Sequence, residues 1–180
     1  MAYGMLIDLK KCVGCHACAT ACKGAHGTPP GVTRSRVERS FEGTYPDVRK
    51  TILPVLCNHC ENAPCVEACP YGARYFYKSE TGYFGELNEY EQVKYAEDMP
   101  TGKVDKCTFC ADRIDAGKGE VQACVAACPA GARVFGDLEE IKKKALDEGG
   151  FQLAPENGTN PSVWYIPNNV VEAGEAKSQN

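Results

Sequence analysis

The sequence predicts an α+β fold made by duplicating one small cysteine-rich unit, and three observations predict it. Twelve cysteines divide into three groups of four: Cys12, Cys15, Cys18 and Cys22, then Cys57, Cys60, Cys65 and Cys69, then Cys107, Cys110, Cys124 and Cys128. Residues 65–76 (Cys-Val-Glu-Ala-Cys-Pro-Tyr-Gly-Ala-Arg-Tyr-Phe) recur at 124–135 as Cys-Val-Ala-Ala-Cys-Pro-Ala-Gly-Ala-Arg-Val-Phe, with nine of twelve positions identical, the mark of an internal duplication. Short strand-like runs and one stretch of helical periodicity are separated by loops rich in glycine (18) and proline (11).

A chain of 180 residues with 43% hydrophobic content makes one domain or two small lobes. Its aromatic content of 9% implies a modest core, and loop-rich domains of this kind usually need covalent or metal staples. The formal net charge of −4, without a basic stripe, argues against nucleic-acid binding. Residues 1–11 contain no long apolar run and no twin arginine, and no window approaches the ~18 apolar residues of a membrane span. The chain is therefore expected to be soluble, without an export signal or membrane span of its own.

Disulfides are disfavoured because no secretory signal announces an oxidising compartment and Cys-x2-Cys pairs sit too close for long-range stapling. Zinc is the stronger rival, since Cys107, Cys110, Cys124 and Cys128 alone read like a ribbon site. The first group decides between them. Cys12-Val-Gly-Cys15-His-Ala-Cys18-Ala-Thr-Ala-Cys22 is the bacterial ferredoxin run C-x2-C-x2-C-x3-C. Three cysteines at steps of three reach three corners of a cubane, and Gly14, Ala17 and Ala19 let the backbone wrap closely; a tetrahedral zinc ion gains nothing from the third close thiolate. The predicted class is thus a duplicated bacterial ferredoxin-like fold, with short two-stranded sheets and helices around iron-sulfur clusters. Three clusters of 2+ core charge on four thiolates each would take the net charge to about −10.

In chain order, strands are expected at residues 3–8, 51–56, 74–77, 83–85 and 133–136. Pro70 and Pro129 stop the Cys-x3-Cys turns, and Gly72 and Gly131 permit the tight turn into the strands that follow. Residues 86–98 carry Glu86, Glu89, Glu91, Glu97 and Asp98 against Lys94, and read as a solvated loop or surface helix rather than a docking face. Ile141, Ala145 and Leu146 give a helix over 139–148, stopped by Gly149-Gly150. Residues 163–166 read as a strand or docking extension, with Trp164 and Tyr165 as packing or interface residues, and 172–180 as a frayed polar tail. His16 and His59 lie inside cysteine runs and are expected to donate hydrogen bonds to cluster sulfur, whereas His26 reads as a simple loop residue.

The first run, Cys57-Asn-His-Cys60-Glu-Asn-Ala-Pro-Cys65, Asp105-Lys-Cys107-Thr-Phe-Cys110, and residues 124–135 with Gly136-Asp137-Leu138 together resemble the iron-sulfur (beta) subunits of the dimethyl sulfoxide reductase family of molybdenum and tungsten oxidoreductases, over about residues 5–166. That family normally has sixteen cysteines in four runs, and this chain lacks the third run, so a three-cluster variant is implied. The pattern is also similar to the small subunit of pyrogallol-phloroglucinol transhydroxylase. By resemblance, the outer runs exchange their fourth ligands. Cluster one then falls on Cys12, Cys15, Cys18 and Cys128, and cluster two on Cys107, Cys110, Cys124 and Cys22. Cluster three falls on Cys57, Cys60, Cys65 and Cys69, or is a three-iron cluster with Cys69 unused. The implied organisation joins residues 1–56 and 107–166 in one lobe, with 57–106 as a reduced second lobe and 167–180 as a tail.

The expected role is non-catalytic: relaying single electrons through three 4Fe-4S clusters to or from a separate large subunit holding a molybdenum or tungsten pterin, with a further donor or acceptor protein at the other end. No catalytic residues are expected, since all-cysteine ligation leaves no iron open as a Lewis acid and no Walker loop, Rossmann fingerprint or hydrolytic constellation is present. The alternatives are a free-standing polyferredoxin and a zinc-binding interaction module. Location is expected to be cytoplasmic, or exported in complex with a signal-bearing partner.

Overall fold

The computed structural model describes residues 2–28, 31–62, 65, 69, 73–76, 86–94, 104–117 and 121–171, among them all twelve cysteines. Its central sheet has three strands in the order β6-β1-β7: β1 (Tyr3–Asp8) pairs antiparallel with β6 (Arg133–Asp137) and parallel with β7 (Val163–Ile166). The two-stranded expectation is corrected here. The run 163–166 is apolar on both faces, and such a strand is buried only by joining a sheet whose two faces are covered.

Alternation along β1 and β7 sends side chains to two different cores. Met5, Ile7, Val163 and Tyr165 enter the main core with Leu53, Val55 and Phe109. Leu6 and Ile166, with Val134 and Trp164 beside them, face Ile141 and Ala145 of α5 (Leu138–Asp147). Trp164 is therefore a packing residue under this helix. Asp137 caps α5 by accepting from the backbone N–H of Glu139 and Glu140, and Gly149 at φ 70 follows its end. The helix is thus the one expected at 139–148, displaced by one residue.

The expected strand at 51–56 is the inner half of a longer one. β2 (Ser35–Thr44) and β3 (Asp47–Leu56) pair over ten residues, from Ser35↔Leu56 to Thr44↔Asp47. The inner half buries Val37, Leu53, Val55 and Leu56, while residues 41–50 are exposed on both strands. The exposed arm imposes no apolar alternation, and half-buried Arg36, Glu38 and Ser40 break it further in, which is why β2 was concealed. Tyr165 Oη donates to Pro54 O at 3.0 Å and ties the hairpin to the central sheet.

Four short helices and a third sheet complete the described fold: α1 (Ala17–His26), α2 (Glu89–Lys94), α3 (Ala111–Asp115), α4 (Ala123–Ala126), and β4 (Tyr75–Phe76) paired with β5 (Val104–Asp105). The β4–β5 pair brings the segment after Cys69 against the one before Cys107. Arg34 braces it, donating to Tyr75 Oη at 2.9 Å and to Asp105, while Tyr75 donates to Asp105 at 2.6 Å. Burial alone would raise the Asp105 carboxyl, but the hydrogen bonds from Tyr75 and Arg34 outweigh it and hold it low. The expected strand at 83–85, Tyr77, Gly72, Glu97, Asp98 and the tail at 172–180 lie outside the described residues. No helix among the described residues is long and apolar enough to cross a membrane.

Candidate metal centres

Each Cys-x2-Cys run makes the same backbone turn. The residue before the second cysteine is left-handed in all three: Gly14 at φ 70, His59 at φ 46 and Phe109 at φ 55. His16 at φ 63 and Cys110 at φ 54 extend this geometry, which aims successive N–H groups into one concavity, a nest suited to an anionic group. The Cys-x3-Cys ends are alike too. Ala132 N–H donates to Cys128 Sγ at 3.3 Å, and its repeat partner Ala73 N–H donates to Cys69 Sγ at 3.5 Å. Gly131, at φ 58, makes the turn expected of it.

Three thiol neighbourhoods result. Cys12, Cys15, Cys18 and Cys128 line one cavity with His16, Val37, Pro54 and Arg133. Cys18 and Cys22 stand one turn apart on the buried face of α1, which packs on α4 carrying Cys124. Cys18 therefore turns to the first neighbourhood and Cys22 to a second, where it lies near Cys110 and Cys124, with Cys107 beside Cys22 and Cys124. In the third, Cys57 lies near Cys60 and Cys69, and Cys60 near Cys65 and Cys69. Each neighbourhood thus holds four cysteines. Neighbouring quartets lie within electrostatic reach: Cys18 and Cys124 act on each other across the first boundary, Cys107 and Cys57 across the second.

Burial pushes the thiols of Cys12, Cys22, Cys57, Cys60, Cys107 and Cys124 up, Cys22 and Cys107 to about 12, with neighbouring thiols adding to the rise. Such sulfurs become thiolates at neutral pH only when a metal replaces the proton. The buried polar atoms without a partner among the described residues make the same point. Apart from Ser35 Oγ they belong to Asn58, His59, Arg74, Gln122 and Arg133, all within or beside the cysteine runs, and most are N–H donors. A sulfur-rich anionic cofactor supplies the acceptors they need, and the donor set of four soft thiolates per site fits iron-sulfur clusters.

The histidines divide differently than expected. His16 lines the first cavity. His59 stacks on Phe109 with centroids 3.5 Å apart and planes at 12°, and burial pulls its imidazole down to about 3, aided by the charge of Lys106. This stack joins the second and third neighbourhoods through their two left-handed residues. His26 is corrected: it closes α1, not a loop, and its Nε2 lies 3.2 Å from Cys110 Sγ. The signal was present in the spacing, since Cys18, Cys22 and His26 follow at steps of four on one helical face. Arg74, which donates to Cys65 Sγ, and Arg133, whose charge lies beside Cys124, were aligned by the repeat but assigned no role. Among the acidic residues that are described, Glu86 is exposed, and Glu89 and Glu91 belong to α2, in keeping with a surface helix.

Two families described as 4Fe-4S dicluster domain match the chain, at residues 11–73 and 87–138. The arsenate respiratory reductase iron-sulfur subunit of Shewanella sp. (strain ANA-3) is 34% identical over 227 residues, covering 92% of this chain and 96% of the relative. A sulfite dehydrogenase subunit of Allochromatium vinosum is 35% identical, covering 91% and 82%. A tetrathionate reductase subunit of Salmonella typhimurium is 35% identical, covering 91% and 72%. The first of these alignments is longer than the 180-residue chain, so that relative carries segments with no counterpart here.

Proposed function

The chain belongs to the iron-sulfur subunits of the dimethyl sulfoxide reductase family of molybdenum oxidoreductases, and from that premise we propose that it relays single electrons along three sites in a row, serving a catalytic subunit that holds a molybdenum or tungsten pterin. Electron transfer on 4Fe-4S clusters is the function of this family. Site one comprises Cys12, Cys15, Cys18 and Cys128; site two Cys22, Cys107, Cys110 and Cys124; site three Cys57, Cys60, Cys65 and Cys69. The observation that carries this reading is the placement of twelve thiols in three neighbourhoods of four, with Cys128 beside the first run and Cys22 beside the last.

When bound, 4Fe-4S clusters supply one-electron chemistry between 2+ and 1+ cores. The residues supply the rest. Left-handed turns at Gly14, His59 and Phe109 present backbone N–H groups, and burial of Cys18, Cys22, Cys107, Cys110 and Cys124 limits water at sites one and two. Cys15 is exposed beside the base of the β2–β3 arm, which favours site one as the end nearest the catalytic partner. The single lobe of 1–56 with 107–166, and residence in the cytoplasm or export with a signal-bearing partner, form part of the same proposal.

The test is iron, acid-labile sulfide and zinc per chain in anaerobically purified complex. About 12 irons supports three cubanes, about 11 a three-iron site three without Cys69, and about 8 an empty site three. Stoichiometric zinc with little iron would reject electron transfer.

A further inference from the structure

Arg74 and Arg133 hold the same place in the duplicated segment, nine positions after Cys65 and Cys124. The fold uses them alike. Arg74 donates from Nη2 to Cys65 Sγ at 2.7 Å, and Arg133 places its charge beside Cys124. Their surroundings differ. Arg133 is 4% exposed, reaches Met5 Sδ at 3.9 Å with Nη1, and keeps a buried Nη2 without a partner. It also lines the cavity of site one, and its charge acts on Cys12 and Cys18 of that site and on Cys22 and Cys124 of site two. Arg74 is half-buried and donates within site three, with its Nε buried and unpaired.

A guanidinium keeps its charge when buried, so it acts as a fixed cation toward whatever its neighbours hold. One electron entering a four-thiolate site takes the core from 2+ to 1+ and the site's total charge from −2 to −3, with no bond or proton exchanged. A fixed cation stabilises the −3 state more than the −2 state, and more strongly in a buried site than in water.

We propose that the duplicated arginines set the reduction potentials of the relay, Arg133 raising those of sites one and two together from its place between them and Arg74 raising that of site three alone. The proposal rests on the ligand assignment above, whose own failure would show as an iron count below about twelve in the unsubstituted complex or as the non-exchanged iron pattern in Cys128→Ser double variants.

The experiment is EPR-monitored redox titration of the purified complex carrying Arg133→Gln, Arg133→Lys or Arg74→Gln, each with its iron counted. Arg133→Gln should lower two midpoint potentials, each by about tenfold in the reduction equilibrium constant, which is about 59 mV for one electron, and leave the third in place. Arg133→Lys should restore most of the loss. Arg74→Gln should give the complementary result, one potential lowered and two unmoved. A fully loaded Arg133→Gln complex with unchanged potentials overturns the proposal, as does an equal shift of all three clusters. Should Arg133→Gln fail to assemble, the other two variants decide. An unmoved site-three potential in Arg74→Gln, or a tenfold loss at sites one and two in Arg133→Lys, overturns it equally.

Discussion

Replacing Cys128 by serine tests the exchange of ligands between the outer runs. Cys128 lines the same cavity as Cys12, Cys15 and Cys18, although Cys124 is only four residues away in sequence. The variant must stay folded to be informative, and the sheet makes this so. β1 and β6 remain paired from Tyr3↔Asp137 to Ile7↔Arg133, so the link from Cys128 to Cys12 closes only about ten residues of chain beyond that pairing. On the loop-closure scale for cross-links, losing it costs on the order of 3 kcal/mol, against nearly 5 for the ~100-residue loop that would open without the sheet. Iron should fall from about 12 to about 8 per chain. Double variants then decide the partner. Cys12→Ser added to Cys128→Ser should remove nothing more, because both serve one cluster, whereas Cys124→Ser added to Cys128→Ser should leave about 4 irons. Iron analysis with EPR spin integration of the reduced protein reads both. The opposite pattern, about 8 irons with Cys124→Ser and about 4 with Cys12→Ser, would refute the exchange and return each run to its own cluster.

Tyr165→Phe removes the hydroxyl that reaches Pro54 O from a fully buried ring, leaving that carbonyl unpaired; thermal unfolding should show a loss of about 1–3 kcal/mol without loss of iron. Asp137→Ala uncaps α5 at the two N–H groups it now accepts from, and should cost about 1 kcal/mol, measured the same way, with Asp137→Ser nearly neutral. His26→Ala removes the ring beside Cys110 Sγ and should lower the potential of the site-two cluster alone in a redox titration; an unmoved potential would reduce His26 to packing.

The strands at 3–8, 133–137 and 163–166 were legible because each presents apolar side chains to a core, and a core demands them in a fixed rhythm. β2 was not, since its outer half pairs in water and leaves its side chains free to be polar, while on the inner half Arg36 and Glu38 are charged but paired at 2.8 Å. The cysteines were legible because soft-metal ligation tolerates few other residues. Which cysteines share a neighbourhood was expected only by resemblance, because bringing Cys22 to Cys124 is a property of the packing of α1 on α4 rather than of spacing. His26, Arg74 and Arg133 escaped for a related reason. A side chain that donates to a sulfur needs only the right reach, and many residue types at many spacings have it.

The three-stranded sheet also bears on how the protein is made. β1 cannot be completed until β6 and β7 exist, and the chain grows at roughly 5–20 residues per second, so Ile7 leaves the peptidyl-transferase centre roughly 6–25 s before its partner Arg133 is synthesised. During that interval the first four cysteines are in the nascent chain without their sheet, while Cys57 to Cys69 emerge close together behind a hairpin whose strand pairing is local. On the proposed ligand sets, iron delivery would be ordered by topology: the middle quartet is complete while translation continues, and the outer two only once Cys124 and Cys128 have been made.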